Sequence, residues 1–87
     1  MFCTYVLLCS NKFEGKKDFY IGYTGDLNNR LKEHINGKVA TTKKFNSINL
    51  VYYEACLGKT DAIKRELQLK TGFGRGYLKK RLSDSLK

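Results

Sequence analysis

Hydrophobic and polar positions follow two rhythms along this chain. Thr4 to Ser10 is a β-branched and aliphatic run, apolar at nearly every position, the pattern of a strand covered on both faces. Asn11 to Lys17 is polar around Gly15 and predicts a hairpin loop. Asp18 to Thr24, rich in aromatics, would then pair antiparallel with the first strand. At Gly25-Asp26 the period lengthens. Asp26 can cap a helix, Leu27, Leu31 and Ile35 recur at helical spacing, and Gly37 is a natural stop. Lys38 to Ser47 reads as a polar, basic loop, and Ile48 to Cys56 as a third strand centred on Leu50-Val51-Tyr52-Tyr53. Thr60 can cap a second helix that runs to about Thr71 and stops at Gly72. Gly72, Gly74 and Gly76 read as a loose link to a last, basic helix from about Tyr77 to Ser85. The order β-β-α-β-α-α predicts an α+β fold, a three-stranded antiparallel sheet flanked by helices with the first strand in the middle.

Eighty-seven residues cannot enclose two cores, so a single domain over 1–87 is expected, and 41% hydrophobic residues suffice for one core. No run approaches the roughly 18 apolar residues that span a bilayer. The opening Met-Phe-Cys-Thr-Tyr-Val-Leu-Leu-Cys has no basic lead-in and no small-residue cleavage site. A soluble, cytoplasmic protein without a membrane partner is expected. Seventeen Lys and Arg against eight Asp and Glu give a formal charge of +9, a field that attracts polyanions, nucleic acid first among them. Ribosome surfaces and anionic membranes would compete for the same charge. Much of it lies late in the chain, at Lys70, Arg75, Lys79, Lys80, Arg81 and Lys87 against Asp84. Cys3, Cys9 and Cys56 form no CxxC pair and read as free, buried thiols; with His34 the single histidine, a structural zinc site is not expected.

Three polar residues stand where apolar ones are expected. On a helical wheel Leu27, Leu31 and Ile35 form one narrow stripe, drifting slightly round the axis with each step of four residues. His34 falls directly beside that stripe and Arg30 at its edge. In the second helix Ile63 and Leu67 define the inner face. Glu66 falls between the flank and the centre of that face, while Lys64 and Arg65 point outward. A carboxylate facing a core is costly unless it is paired or binds a cation. Two readings remain open: an internal Glu66–Arg30 salt bridge with His34 a hydrogen-bonded core histidine, or a half-buried cleft holding an acid, a guanidinium and an imidazole. The second has the parts that cutting a phosphodiester requires.

On these residues the chain resembles the GIY-YIG endonuclease superfamily, from about Thr4 to Lys70. Tyr20-Ile21-Gly22 is an intact YIG, and Thr4-Tyr5-Val6 stands for the first element with only its tyrosine kept. Arg30, His34 and Arg65-Glu66 follow in order. His34-Ile35-Asn36-Gly37, Thr42-Lys43-Lys44, Leu50-Val51-Tyr52 and Arg65-Glu66 through Lys70 resemble the small stand-alone bacterial members. The chain is also similar to the N-terminal nuclease module of the bacterial excision-repair incision protein. The resemblance implies a divalent-metal-dependent endonuclease acting on nucleic acid, DNA favoured over RNA, with DNA repair as an expected setting. It implies Glu66 as the sole protein ligand of Mg²⁺ or Mn²⁺ and Arg30 as the group stabilising transition-state charge. Tyr5, Tyr20 and His34 would line the cleft, with Tyr5 the general base, His34 assisting, and Gly22 giving close backbone approach. Lys43, Lys44, Lys70, Arg75, Lys79 and Lys80 are the expected phosphate contacts. Tyr23, Tyr52, Tyr53 and Tyr77 are expected to be packing or surface aromatics. The first motif lacks its Gly-Ile, and no asparagine follows Gly72, so the alternative is a catalytically weak or inactive nucleic-acid-binding module with the same fold.

Overall fold

A computed structural model of the chain describes residues 1–11, 15 and 17–86. Strands β1 (Phe2–Ser10), β2 (Lys17–Thr24) and β3 (Ser47–Cys56) form one antiparallel sheet in the order β2-β1-β3. The apolar first strand is central, as its pattern predicts, with Thr4 to Leu7 and Cys9 buried. It begins at Phe2, two residues earlier than its pattern suggests. β1 and β2 are in register from Cys3↔Thr24 to Ser10↔Lys17, the pairing expected of a hairpin. Residues 12–14 and 16 of the expected loop, and Lys87 of the basic tail, lie outside the described residues.

The two faces of β1 carry different cores. On one, Val6 and Ile21 meet Leu69, Leu78 and Leu82 from helices α2 (Lys59–Leu69) and α3 (Gly72–Arg81) and the turn after them. On the other, Tyr5, Leu7 and Cys9 meet Tyr20, Phe45, Ile48, and Leu27 and Leu31 of helix α1 (Leu27–Ile35). Full burial of a leucine contributes about 1.5–3 kcal/mol, so the sealed Leu69 and Leu78 are main ties between the α2–α3 pair and the sheet. Against β3 the register slips between Val6 and Leu7, where Val6 faces Tyr52 but Leu7 faces Leu50. Val51 is the extra residue of a β-bulge, so Leu50 and Tyr53 both fall on the Tyr5 side of the sheet.

The helices depart from the wheel in instructive ways. Asp26 caps α1 as predicted, its Oδ1 accepting from Asn29 N at 3.1 Å. Ile35, expected in the core, is 67% exposed, because the inward stripe of α1 runs through Leu27, Leu31 and the fully buried His34, and Ile35 falls beyond it at the helix end. α2 starts at Lys59 behind Gly58, not at a Thr60 cap, and ends at Leu69. Its inner face centres on Ala62 and Leu69, so Leu67 is 59% exposed and Arg65 is not an outward residue. Small Ala62 lets the helix approach β1 closely enough for Thr4 Oγ1 to donate to the Ala62 carbonyl at 2.9 Å.

The glycine-rich stretch is helical rather than a loose link. α3 begins at Gly72, capped by Thr71 Oγ1, which accepts from Gly74 N at 3.0 Å, and it stops at Arg81 instead of Ser85. A Cβ on Gly74 would run into the Gln68 carbonyl and the Leu69 backbone. Here glycine permits two helices to abut. Cys9 is buried, and burial pushes its thiol up to about 11; Cys3 and Cys56, expected to be buried, are only half-buried, and all three are free. Among the described residues no helix is long and apolar enough to cross a membrane.

Candidate active site

Tyr5, at the middle of the central strand, points into the core beneath α1. Its hydroxyl lies 2.8 Å from His34 Nε2, and His34 Nδ1 lies 2.8 Å from Thr42 Oγ1 in the loop before β3. The three side chains are sealed, at 1%, 0% and 0% exposure. Tyr20 completes the cluster, its ring edge-on to His34 with centroids 4.9 Å apart and 6.2 Å from the Tyr5 ring. The glycine of the YIG triplet has a specific reason to be there. Gly22 is the cross-strand partner of Tyr5, and the phenol lies flat across it: a Cβ at Gly22 would sit 2.7 Å from the Tyr5 oxygen.

Arg30, one helical turn before His34, directs its guanidinium at the Tyr5 hydroxyl, an interaction that raises the Arg30 pKa. It also reaches Glu33 Oε1 at 3.5 Å. Burial pushes Tyr5 up to about 12, although the hydrogen bond from Arg30 pulls the other way. Burial lowers His34 below its ordinary value, and the Arg30 charge adds to that effect. Near neutral pH the phenol is therefore protonated and the imidazole neutral. The neutral ring fits either of two tautomers: Tyr5 donates to Nε2 while Nδ1–H donates to Thr42, or Thr42 donates to Nδ1 while Nε2–H donates to Tyr5.

Four of the five expected catalytic residues, Tyr5, Tyr20, Arg30 and His34, thus gather on one face of the sheet. Glu66 comes from α2, the helix that covers the other face. The Glu66–Arg30 salt bridge is not formed: Glu66 Oε1 takes Lys70 Nζ at 3.2 Å, and Arg30 takes Glu33. The Glu66 side chain is only 14% exposed, so the expectation of an inward acid holds, and its second oxygen has no partner among the described residues but is reachable by solvent. Arg65 instead grips Glu54 on β3, at 2.9 Å, beside Tyr52 and Tyr77. Burial tends to raise the Glu54 pKa, but the hydrogen bonds from Arg65 and Tyr52 hold it below the ordinary carboxylate value.

The basic residues divide between the faces. Lys43 lines a cleft of about 330 Å³ beside His34, with Phe45, Ser47 and Ile48, and Lys44 stacks over Phe45 at 5.4 Å. Lys79 lies on α3 in a groove with Lys17 and Phe19, Arg75 pairs there with Asp18 at 3.7 Å, and Lys80 is exposed on the same helix. Lys70 is engaged by Glu66.

The model of the GIY-YIG catalytic domain matches residues 1–81. The chain belongs to the GIY-YIG nuclease family. It is 38% identical over 68 residues to a UPF0213 protein of Staphylococcus epidermidis, covering 77% of each chain. A UPF0213 protein of Staphylococcus aureus is 37% identical over the same length and the same shares. No solved structure matches. Tyr5 and Tyr20, the tyrosines expected of the two motif elements, stand side by side on β1 and β2. Thr42, which anchors His34, had no sequence signal beyond its place in the Thr42-Lys43-Lys44 stretch, because an eight-residue separation through a loop leaves no periodicity to read.

Proposed function

We propose that this GIY-YIG protein is a metal-dependent endonuclease that hydrolyses phosphodiester bonds in nucleic acid, with structured or single-stranded DNA preferred over RNA. One observation carries the reading: a buried phenol held between a guanidinium and a neutral imidazole, Tyr5 between Arg30 and His34. A phenol with a pKa of about 12 is no standing base at neutral pH. Instead, in the tautomer with Nε2 unprotonated, Tyr5 oxygen accepts a proton from the attacking water while its own proton passes to His34 Nε2. The water oxygen bonds to phosphorus, the opposite P–O bond breaks, and the departing oxygen is protonated from solvent. Arg30 stabilises the phenolate character of Tyr5 and negative charge building on the phosphate. Tyr20 orients water or phosphate beside the imidazole.

Among the described residues no cluster of three His, Cys, Asp or Glu could hold a metal. The lone, largely buried Glu66 with one open oxygen suits a hard cation that keeps most of its waters and takes substrate oxygens, as Mg²⁺ or Mn²⁺ does. Such an ion would polarise the scissile phosphate. In this reading Glu66 serves the site from around β2, the edge strand on which α2 packs. Lys43, Lys44, Lys70, Arg75, Lys79 and Lys80 supply phosphate contacts, giving salt-dependent binding with little base preference.

The same placement of Glu66, on the opposite face and held by Lys70, favours a second reading, a weak or inactive binding module. Incubating the protein with branched and single-stranded DNA and RNA, with Mg²⁺, Mn²⁺ or EDTA, separates the two. A nuclease cuts with metal and loses cutting but keeps binding in Glu66→Ala; a binding module cuts nothing.

A further inference from the structure

Tyr53, expected to be a packing or surface aromatic, is exposed at the surface of β3, and its cross-strand neighbour gives that exposure a use. It is the direct cross-strand neighbour of Tyr5, so the two phenols project from the same face of the sheet, with Cβ atoms about 5 Å apart. Tyr5 is sealed, whereas Tyr53 is 55% exposed and has no hydrogen bond or ring contact with any described residue. The β-bulge at Val51 turns Leu50, 37% exposed, onto this same face. An open apolar strip therefore runs along the β3 edge of the sheet, one strand over from the Tyr5 backbone, while the Tyr5 hydroxyl lies over Gly22 of β2.

We propose that this strip is a base-stacking platform for single-stranded nucleic acid, with Tyr53 taking an unpaired base next to the phosphate held at Tyr5 and Arg30. The inference rests on the nuclease reading of that site and names its substrate class. Three observations converge on this occupant. The chain carries a charge of +9, which draws a polyanion rather than a neutral protein surface. The Tyr5 hydroxyl lies over β2, two strand spacings or about 10 Å from β3, a span on the order of the reach from a phosphate to the base of the adjoining nucleotide. An exposed phenol beside a cationic site pairs a π-face for the base with a positive charge for the backbone, the combination single-strand binders use. A duplex hides its base faces in its own stack and cannot use the platform.

The test measures binding without metal, so that it does not depend on cutting. A fluorescent single-stranded dT oligonucleotide and the matching dA–dT duplex are titrated in EDTA against wild type, Tyr53→Thr and Tyr53→Phe at several salt concentrations. Threonine keeps a strand-forming side chain without the ring, and circular dichroism checks the fold. The inference predicts that Tyr53→Thr weakens single-strand binding by about 5- to 150-fold. Tyr53→Phe should bind within about twofold of wild type, the salt slope should not change, and duplex affinity should hardly move. Equal affinity in wild type and Tyr53→Thr, an equal loss on duplex, or a loss in Tyr53→Phe as large as in Tyr53→Thr would overturn it. So would a wild-type dimer that Tyr53→Thr converts to monomer, since a second copy would then be what covers the strip. Ring-dependent single-strand binding by a protein that cuts nothing in Mg²⁺ or Mn²⁺ would support the platform and sink the nuclease reading alone.

Discussion

The Tyr5 hydroxyl and His34 Nε2 are 2.8 Å apart, with His34 fully buried and Tyr5 1% exposed. Burial acts on them in opposite directions, raising Tyr5 and lowering His34, so the pair is neutral at neutral pH and poised to pass one proton from oxygen to nitrogen. If His34 accepts that proton, cutting requires it unprotonated. The rate kcat/KM should therefore fall on the acid side with a midpoint below the ordinary histidine value of about 6.5. His34→Gln should lose about 100- to 10,000-fold in rate and lose this acid limb with it. A pH–rate profile for both proteins checks the point.

The same shift makes stability depend on pH. His34 binds its proton less readily folded than unfolded, so the unfolded chain takes up more protons as pH drops. The contribution is complete above about pH 6.5, is lost as pH falls through the folded value, and levels off below it. Urea midpoints from pH 8 to pH 4 should fall through this window in wild type, with that part of the slope missing in His34→Gln.

Gly22→Ala should damage the site through packing rather than chemistry. The new methyl meets the Tyr5 oxygen at 2.7 Å and the Tyr20 ring at 3.2 Å, and both rings are held by neighbours. Overpacking of this kind costs about 1–3 kcal/mol. The expected outcome is a lower Tm together with a fall in activity larger than the fall in folded fraction.

Thr42→Val removes the hydroxyl that fixes His34 Nδ1 and leaves that nitrogen buried without a partner. The loss should be about 1–3 kcal/mol of stability. Thr42→Ser retains the oxygen and should recover most of the activity. A Thr42→Val protein as stable and as active as wild type would show that the loop does not position the imidazole.

Much of the fold is legible in the sequence because local pattern and tertiary demand agree. The apolar run from Tyr5 to Cys9 fits a covered strand, and Asp26 has one obvious use as a cap. The inward lean of His34 also follows from helical spacing, since its neighbours Leu27 and Leu31 anchor the same stripe. Other features depend on contacts that no local pattern records. Leu67 belongs inside by its apolar character, yet Ala62 decides which side of α2 can approach β1, and Leu67 turns outward. Gly72, Gly74 and Gly76 read as breakers, whereas Gly74 is what allows α3 to start against the end of α2. Tyr53 has no face that the sequence can assign, because the bulge at Val51 interrupts the two-residue period on which such an assignment relies.

The most direct test of the proton-transfer site is the metal-dependent cutting of a single-stranded or branched DNA by wild type and Tyr5→Phe, with binding measured in parallel. Phenylalanine keeps the ring over Gly22 and deletes the one oxygen that links Arg30 to His34. The expected result is cutting by wild type in Mg²⁺ or Mn²⁺ and a loss of about 100- to 10,000-fold in Tyr5→Phe with DNA affinity nearly intact. A Tyr5→Phe protein that cuts as fast as wild type, or a wild type that cuts no substrate in either metal, would contradict it.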